Sequence, residues 1–333
     1  MATVGNLNPT LADFAKREDP NGKIASTIIE MLNQTNEILD DMTFVEGNLP
    51  TGHKTTVRTG LPASTWRLLN YGVQPNKSTT AQVTDTCGML ESYAEVDKSL
   101  ADLNGNTAEW CMSEDRAFLE SMNQAMTQTL FYGNTATNPE RFMGLAPRFS
   151  TISTDSTQSG FNIINGSGSS ARTSIWLAVW SPNTIHGIFP KGSIAGFQRQ
   201  DLGEQTLTDA AGGRYQGYRT HYKWDIGLCV RDWRYVVRVA NIDSNALTKN
   251  AASGADLIDL MTQALEQVQD LNMGRPVFYC NRTVKSFLRR QITNKVANST
   301  LTMETVSGKP VMTFGGVPVK RCDQILNSES AVS

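Results

Sequence analysis

The chain has 333 residues, enough to bury a large core, and 32 acidic against 30 basic side chains leave a net charge of −2. That near-neutral balance argues against a dedicated nucleic-acid binder, whose affinity rests on clustered Lys and Arg neutralising phosphates. The longest apolar run is Ser174 to Trp180 ("SIWLAVW"), far short of the roughly 20 residues a membrane-spanning helix needs, and the opening "MATVGNLNPTLADFAK" lacks the basic-then-apolar order of a signal peptide.

Residues 1–42 read as a helical arm. "TLADFAKRE" is a short amphipathic piece closed by Asp19-Pro20-Asn21-Gly22. A second helix follows, "KIASTIIEMLNQTNEILDDM", with Ile24, Ile28, Met31, Thr35, Ile38 and Met42 along one stripe and Ile29, Leu32 and Leu39 widening it. No core segment neighbours this pair in sequence, so it must dock elsewhere, with Ile24, Ile28 and Met31 as the docking face. The acidic pair Asp40-Asp41 at the helix end reads as solvated.

Residues 43–103 change character. "HKTTVRTG" and "TTAQVTDTCGMLESYAEVD" read as two strands joined by a long excursion that holds Trp66, Leu68, Leu69 and Tyr71. A lone two-stranded unit is marginal in water, and loops this long are usually functional. The physical solution is to lay the excursion on another subunit.

The longest helix comes next, "NTAEWCMSEDRAFLESMNQAMTQTLFYGN". Asn106 or Thr107 caps its start, acids sit in its early turns, and Gly133-Asn134 ends it. Cys111, Phe118, Met122, Ala125 and Thr129 form one stripe, extended by Leu119, Met126 and Leu130. About 25 residues at 1.5 Å each make a rod of roughly 38 Å.

Ser- and Gly-rich loops follow, and strands dominate from Thr173 to Ile242. "RDWRYVVRVAN" alternates, with Trp233, Tyr235, Val237 and Val239 on one face and Asp232, Arg234 and Arg238 on the other. This predicts an antiparallel sheet with one wet face. The last part alternates helix and strand. Ser253 caps "GADLIDLMTQALEQVQDL", "PVFYC" is a short buried strand, and Asn281 caps "NRTVKSFLRRQITNKV". "LTMETV" and "KPVMTF" pair as a hairpin, and "VMTFGGVPVKRCDQIL" closes the series.

Catalytic patterns are missing. There is no GxxxxGK[ST], GxSxG or HExxH, and "GSGSSAR" lacks the third glycine of a dinucleotide loop. The five cysteines, Cys87, Cys111, Cys229, Cys280 and Cys322, are widely spaced with no CxxC pair, as expected of reduced, buried thiols. His53, His186 and His221 are too far apart in sequence to make a ligand pair, and no zinc partners stand out. No cofactor is therefore expected. "RYQGYRTHYKWD" could stack bases, but a twisted strand pair with exposed aromatics accounts for it. The helix from Asn281 carries Arg282, Lys285, Arg289 and Lys295 on a solvated outer face. Gly315-Gly316 precede the extended Val317-Pro318-Val319 and not a helix, so they form a strand–turn–strand and not a phosphate cradle. Cys322, beside Lys320 and Arg321 with no histidine near in sequence, reads as a plain thiol.

Taken in order, "GNTATNPERFMGLAPRF", "SPNTIHGIFPKGS", "RYQGYRTHYKWDIGLCVRDWRYVVRVANID" and "FGGVPVKRC" resemble a tailed-bacteriophage major capsid protein of the Hong Kong 97 type. The likeness is to the shell proteins of short-tailed podoviruses of the epsilon-fifteen and Bordetella phage kind, and it spans nearly the whole chain. The resemblance implies an α+β fold in four parts. Residues 1–42 are the N-terminal arm and 43–103 the extended loop. Residues 104–245 are a peripheral domain with the long spine helix and a β-sheet, and 246–333 an axial domain. Because the β-rich segment precedes the axial helices, either the strand order is rewired or that segment belongs elsewhere.

The resemblance further implies intersubunit contacts at Lys54, Arg58, Trp66, Arg67, Leu68 and Tyr71. It places the turn of Gly315, Gly316 and Pro318, with Lys320 and Arg321, near the capsomer centre. It implies a non-enzymatic shell protein that forms hexamers and pentamers around double-stranded DNA, touches that DNA weakly, and assembles in the bacterial host cytoplasm for the virion. Separate scaffolding, portal and decoration proteins are expected, and no membrane. The alternatives are the shell of an encapsulin-like nanocompartment and, from another class, a β-rich enzyme or glycan-binding protein.

Overall fold

The computed structural model describes residues 34, 36–102, 107–209, 211–248, 254–293, 301–306 and 309–333. In chain order, a helical turn at Ile38–Asp41 leads into β1 (Phe44–Glu46), β2 (Gly52–Gly60) and β3 (Thr79–Asp97). The long helix α1 (Thr107–Tyr132) follows, then β4 (Ile163–Asn165), β5 (Arg172–Trp180), β6 (Ile185–Phe189), β7 (Gln198–Thr208), β8 (Arg214–Val230) and β9 (Val236–Asp243). Next come α2 (Leu257–Gln267), β10 (Arg275–Cys280), α3 (Arg282–Thr293), β11 (Leu301–Val306), β12 (Lys309–Phe314) and β13 (Val317–Arg321).

These elements group into two compact units. The first holds Met89–Met126 and Gly196–Asp225. There β7 runs antiparallel to β8, from Gln198 opposite Lys223 to Thr208 opposite Arg214. Asp209 organises the connecting turn, its Oδ1 accepting from the amides of Ala211 at 2.9 Å and Gly213 at 2.7 Å. Phe118 of α1 stacks on Tyr222 with ring centroids 5.4 Å apart. Leu119, expected on the apolar stripe, is instead 42% exposed.

The second unit holds Thr35–Gly88, Thr127–Ala195 and Ile226–Ser333. Its sheet is centred on β5, which pairs antiparallel with both β10 and β9. Beyond β10 lie β13, parallel to it, and then β12 and β11 as antiparallel neighbours. Beyond β9 lies β4, parallel to it. Strand β6 pairs antiparallel with the end of β8 and parallel with β1, and β2 pairs antiparallel with β3.

Strand β5 is buried on both faces, which is why its sequence is a continuous apolar run and not an alternation. Ile175, Leu177 and Val179 share one core with Val237 and Val239 of β9, Met261 and Ala264 of α2, Val284 and Leu288 of α3, and Phe314, Val317 and Val319 of the last strands. Trp176 faces the other way, its ring 6.1 Å from Phe131 and 6.0 Å from Phe149.

The wet face expected on β9 does not exist: all eight residues of the strand are buried. Trp233–Tyr235 forms a tight helical turn ahead of the strand, capped by Asp232 accepting from Arg234 N at 3.1 Å. Arg238 is only 4% exposed. Its guanidinium donates to Glu329 Oε2 at 2.8 Å, Phe149 O at 2.7 Å and Ser174 Oγ at 3.0 Å, and lies 5.0 Å from the Trp176 ring. Tyr132 and Ser174 hydroxyls also donate to the Glu329 carboxylate. Alternation alone cannot tell a solvated arginine from one whose five donors meet fixed acceptors.

Helix caps follow the same lesson. Helix α2 starts at Leu257 and is capped by Asp256, which accepts from Ile258 N at 3.1 Å and Asp259 N at 3.3 Å; Ser253 lies outside the described residues. Asn106 also lies outside them, as do the side chains of Thr107 and Cys111. Asn281 caps α3 as expected, accepting from Val284 N at 2.9 Å.

Removing one partner of a buried ion pair leaves the other charge stranded. Glu329→Ala should therefore destabilise the unassembled protein by about 3–5 kcal/mol in urea denaturation. The double replacement Arg238→Met with Glu329→Met should recover most of that loss. Equal losses in the single and double variants would contradict this account.

Candidate assembly surfaces

The β2–β3 ribbon keeps register from Gly52 opposite Thr86 to Arg58 opposite Thr80, and ends at Gly60 opposite Thr79. Asn48 clamps its base, exchanging two 2.7 Å bonds with the backbone of Lys54. Between the strands, residues 61–78 contain no helix or strand. Trp66 is fully exposed, and Leu68, Leu69 and Tyr71 are 72%, 83% and 68% exposed. Lys54, Arg58 and Arg67 are exposed as well. The segment is braced by Tyr71 N donating to Leu68 O at 3.2 Å and Asn76 Nδ2 donating to Ala63 O at 3.1 Å. Large apolar side chains gathered on one exposed loop mark an interaction surface, because water exacts a cost for each one left uncovered.

The closing turn joins β12 to β13 with Phe314 opposite Val317. Gly315 and Gly316 have φ of +56° and +81°, the two left-handed residues that a two-residue hairpin turn requires. Both are exposed, and Pro318 is half-buried opposite Thr313. Lys320 donates to Asp41 Oδ1 at 2.6 Å, and Arg321 spans Asp323 with contacts of 2.6 and 2.5 Å. Cys322 is buried, and burial pushes its thiol up to about 12.

Asp41 is therefore not solvated. It is 4% exposed and meets Arg275 at 2.8 Å as well as Lys320. Its Oδ2 accepts from the Tyr279 hydroxyl at 2.9 Å, which in turn accepts from Trp180 Nε1 at 2.8 Å. Asn36 and Glu37 run beside β13: Asn36 bridges to Cys322, and Glu37 N donates to Arg321 O at 3.3 Å. Ile38 and Met42 are buried. Ile24, Ile28 and Met31 lie outside the described residues.

The aromatic and basic strip on β8 is occupied within its own unit. Arg219 pairs with Glu95 at 2.5 Å and Lys223 with Asp225 at 3.0 Å. His221 stacks on Tyr93 at 4.4 Å and reaches Glu91 at 3.2 Å. The Tyr222 hydroxyl donates to Asp115, and burial with that bond holds its pKa well above the usual phenol range. Arg219, His221 and Lys223 thus face carboxylates of their own unit, while Arg214 is exposed. On α3, Arg282 and Arg289 are exposed and Lys285 lies 3.8 Å from Glu37; Lys295 is outside the described residues.

One grouping was hidden from the sequence. His53 of β2, His186 of β6 and Cys229 of β8 come together, their ligand atoms all within 4.8 Å of one another. Burial, then the neighbouring His53, lowers the His186 pKa to about 4, and burial, then the Asp85 carboxylate, pushes Cys229 up to about 12. Strand pairing alone unites them, so no local spacing could have announced the cluster.

A long helix, a helix-covered sheet and a two-stranded ribbon tipped by an uncovered apolar loop define a shell protein of the Hong Kong 97 type. Residues 19–333 match the family model of major capsid protein GP7. The chain belongs to that family and is a structural protein of phage shells, found in the virion. It is 40% identical to a chain of bacteriophage epsilon15 solved by cryo-EM, covering 100% of this chain and 99% of that one at a TM-score of 0.76. The bacteriophage JBD30 capsid shares the fold at 10% identity, 95% and 99% coverage and a TM-score of 0.51. An encapsulin of Synechococcus elongatus matches at 8% identity, 70% and 96% coverage and a TM-score of 0.43, too low to carry the nanocompartment reading. No curated protein matches the chain.

At Gly316, where an added Cβ meets nothing within 4 Å, alanine should cost only the left-handed backbone penalty of about 1–2 kcal/mol. Gly315→Ala should cost at least as much, since its Cβ would stand 2.9 Å from Leu265 Cδ1. Urea denaturation of both variants reads this directly; no loss at either site would rule out the turn geometry. Cys280 and Cys322, buried with thiols pushed up to about 12, should resist iodoacetamide at pH 8 in the native protein and react once it is unfolded. Peptide mass mapping decides this, and native labelling of either would show that its site opens.

Proposed function

We propose that this shell protein builds hexamers and pentamers of an icosahedral capsid around double-stranded DNA. The observation that carries the reading is the exposed apolar segment 61–78, held out on a ribbon with no core of its own. Covering a side chain such as Trp66 or Leu68 contributes about 1.5–3 kcal/mol. A few such contacts, repeated at every subunit boundary, drive closure of a symmetric assembly.

In this reading Trp66, Leu68 and Tyr71 lie on the neighbouring subunit, with Lys54, Arg58 and Arg67 supplying charge to the same contact. Ile24, Ile28 and Met31 dock the arm of residues 1–42. The turn of Gly315, Gly316 and Pro318 faces the capsomer centre. Lys320 and Arg321, whose charges are held by Asp41 and Asp323, set the position of that turn. The four-part division is 1–42 arm, 43–103 extended loop, 104–245 peripheral and 246–333 axial. That β5 and β9 share one core with α2 and α3 supports counting those two strands with the axial part.

A net charge of −2 supports weak and nonspecific DNA contact. Assembly in the bacterial cytoplasm, with separate scaffolding, portal and decoration proteins, completes the proposal.

Replacing residues 61–78 by Asn-Gly would close Gly60 onto Thr79 through a tight turn that the ladder accepts. The variant should stay soluble and folded by circular dichroism yet form no shells in negative-stain images. Shells of normal size from this variant would sink the extended-loop reading. Trp66→Ala alone should weaken assembly, raising the protein concentration needed for shells on the order of tenfold. Size-exclusion chromatography across a dilution series measures that threshold.

A further inference from the structure

The second unit contains a buried side-chain cluster apart from the assembly surfaces described above. The β6–β8 register sets His186 directly opposite Cys229, and the β2–β3 register sets His53 directly opposite Asp85. The two imidazoles meet edge to face with centroids 5.9 Å apart. His186 is 1% exposed and Cys229 fully buried. His186 lies close to the Ser181 backbone and Cys229 Sγ lies 3.7 Å from Thr55 Oγ1, yet the His186 ring nitrogens, His53 Nδ1 and Arg148 Nε have no partner in good hydrogen-bond geometry. Buried polar atoms are ordinarily paired. A neutral imidazole presents one N–H and one lone pair, so His53 and His186 can each offer one nitrogen to a metal ion.

We propose that His53, His186 and Cys229 bind a divalent transition-metal ion of the zinc class, with Asp85 as the adjacent charge-balancing carboxylate. Two imidazole nitrogens and a thiolate sulfur are a borderline-soft donor set, which selects zinc over magnesium or calcium. A tetrahedral zinc ion spaces such donors roughly 3.3–3.6 Å apart. Donor atoms already within 4.8 Å of one another reach that spacing by small side-chain rotations. Binding exchanges the Cys229 S–H bond for a sulfur–metal bond and releases the proton to solvent.

Two arginines border the site and oppose a cation. Arg148 is held by Asp85 Oδ1 at 2.7 Å, and Arg231 is exposed, where water screens it. The Cys229 thiolate offsets one of the ion's two charges, and the Asp85 carboxylate, shared with Arg148, lowers the remaining repulsion. The ligands come from β2, β6 and β8, so the ion would fasten the base of the β2–β3 ribbon to the β6–β8 pair. The inference rests on this geometry and stands apart from the role proposed for segment 61–78.

The test uses full-length protein, stripped with a chelator and reloaded with Co²⁺ or Zn²⁺. Wild type should take up about one Co²⁺ per chain, with intense tetrahedral d–d absorption and a thiolate-to-cobalt charge-transfer band. Cys229→Ser should abolish the charge-transfer band. His53→Asn, at a half-buried ring, should fold normally and bind at least about 100-fold more weakly. Zn²⁺ should raise the melting temperature of wild type by several degrees and leave His53→Asn unmoved. If Cys229→Ser does not fold, the wild-type band and the His53→Asn titration decide between them. Cobalt bound without that band, or equal loading of wild type and His53→Asn, overturns the proposal.

Discussion

Strand β5 has no wet side, and the second unit is arranged around that fact. A strand buried on both faces must be roofed twice. Helices α2 and α3 roof the face of Ile175, Leu177 and Val179. The end of α1 and the residues from Phe149 roof the face of Trp176. The same constraint traps Arg238 on the neighbouring strand away from water. A charge so placed needs a partner with correct geometry, and Glu329 near the end of the chain is that partner. The final residues are drawn in along with it: Glu329 N donates to Arg172 O at 2.9 Å, and Asn241 exchanges hydrogen bonds with Val332.

Against this closely packed core, the ribbon and its loop stand out as unfinished. The chain places Trp66, Leu68, Leu69 and Tyr71 where nothing in the described molecule covers them. A monomeric protein would be penalised for such a patch. A member of the GP7 capsid family is not monomeric in its working state. A shell subunit needs a fixed body and a surface that its neighbours complete, and the uncovered loop is the surface proposed for that part.

Much of the fold was legible in the residues. Strands β2 and β3, the Asn281 cap and the Gly315–Gly316 turn rest on signals confined to a few neighbouring positions. Backbone conformation answers to local chemistry, so local patterns report it. The misreadings share another feature. From the sequence alone Asp41 belongs in solvent and β9 has a wet face, and nothing in the spacing of the histidines brings His53 beside His186. Each depends on what a distant segment brings alongside: Lys320 and Tyr279 for Asp41, Glu329 for Arg238, and Cys229 for His186. The candidate surfaces divide the same way. The apolar loop could be read directly, whereas the grouping of His53, His186 and Cys229 exists only because β2, β6 and β8 come together.

By itself, the sequence determined where the chain is extended, where it turns, and that a long apolar excursion lacks a core of its own. Only the tertiary structure decided which charged side chains are buried, which acids neutralise them, and which histidines meet a thiol. Periodicity and turn chemistry act between residues a few positions apart. Burial and charge pairing act between residues that only the completed sheet makes neighbours.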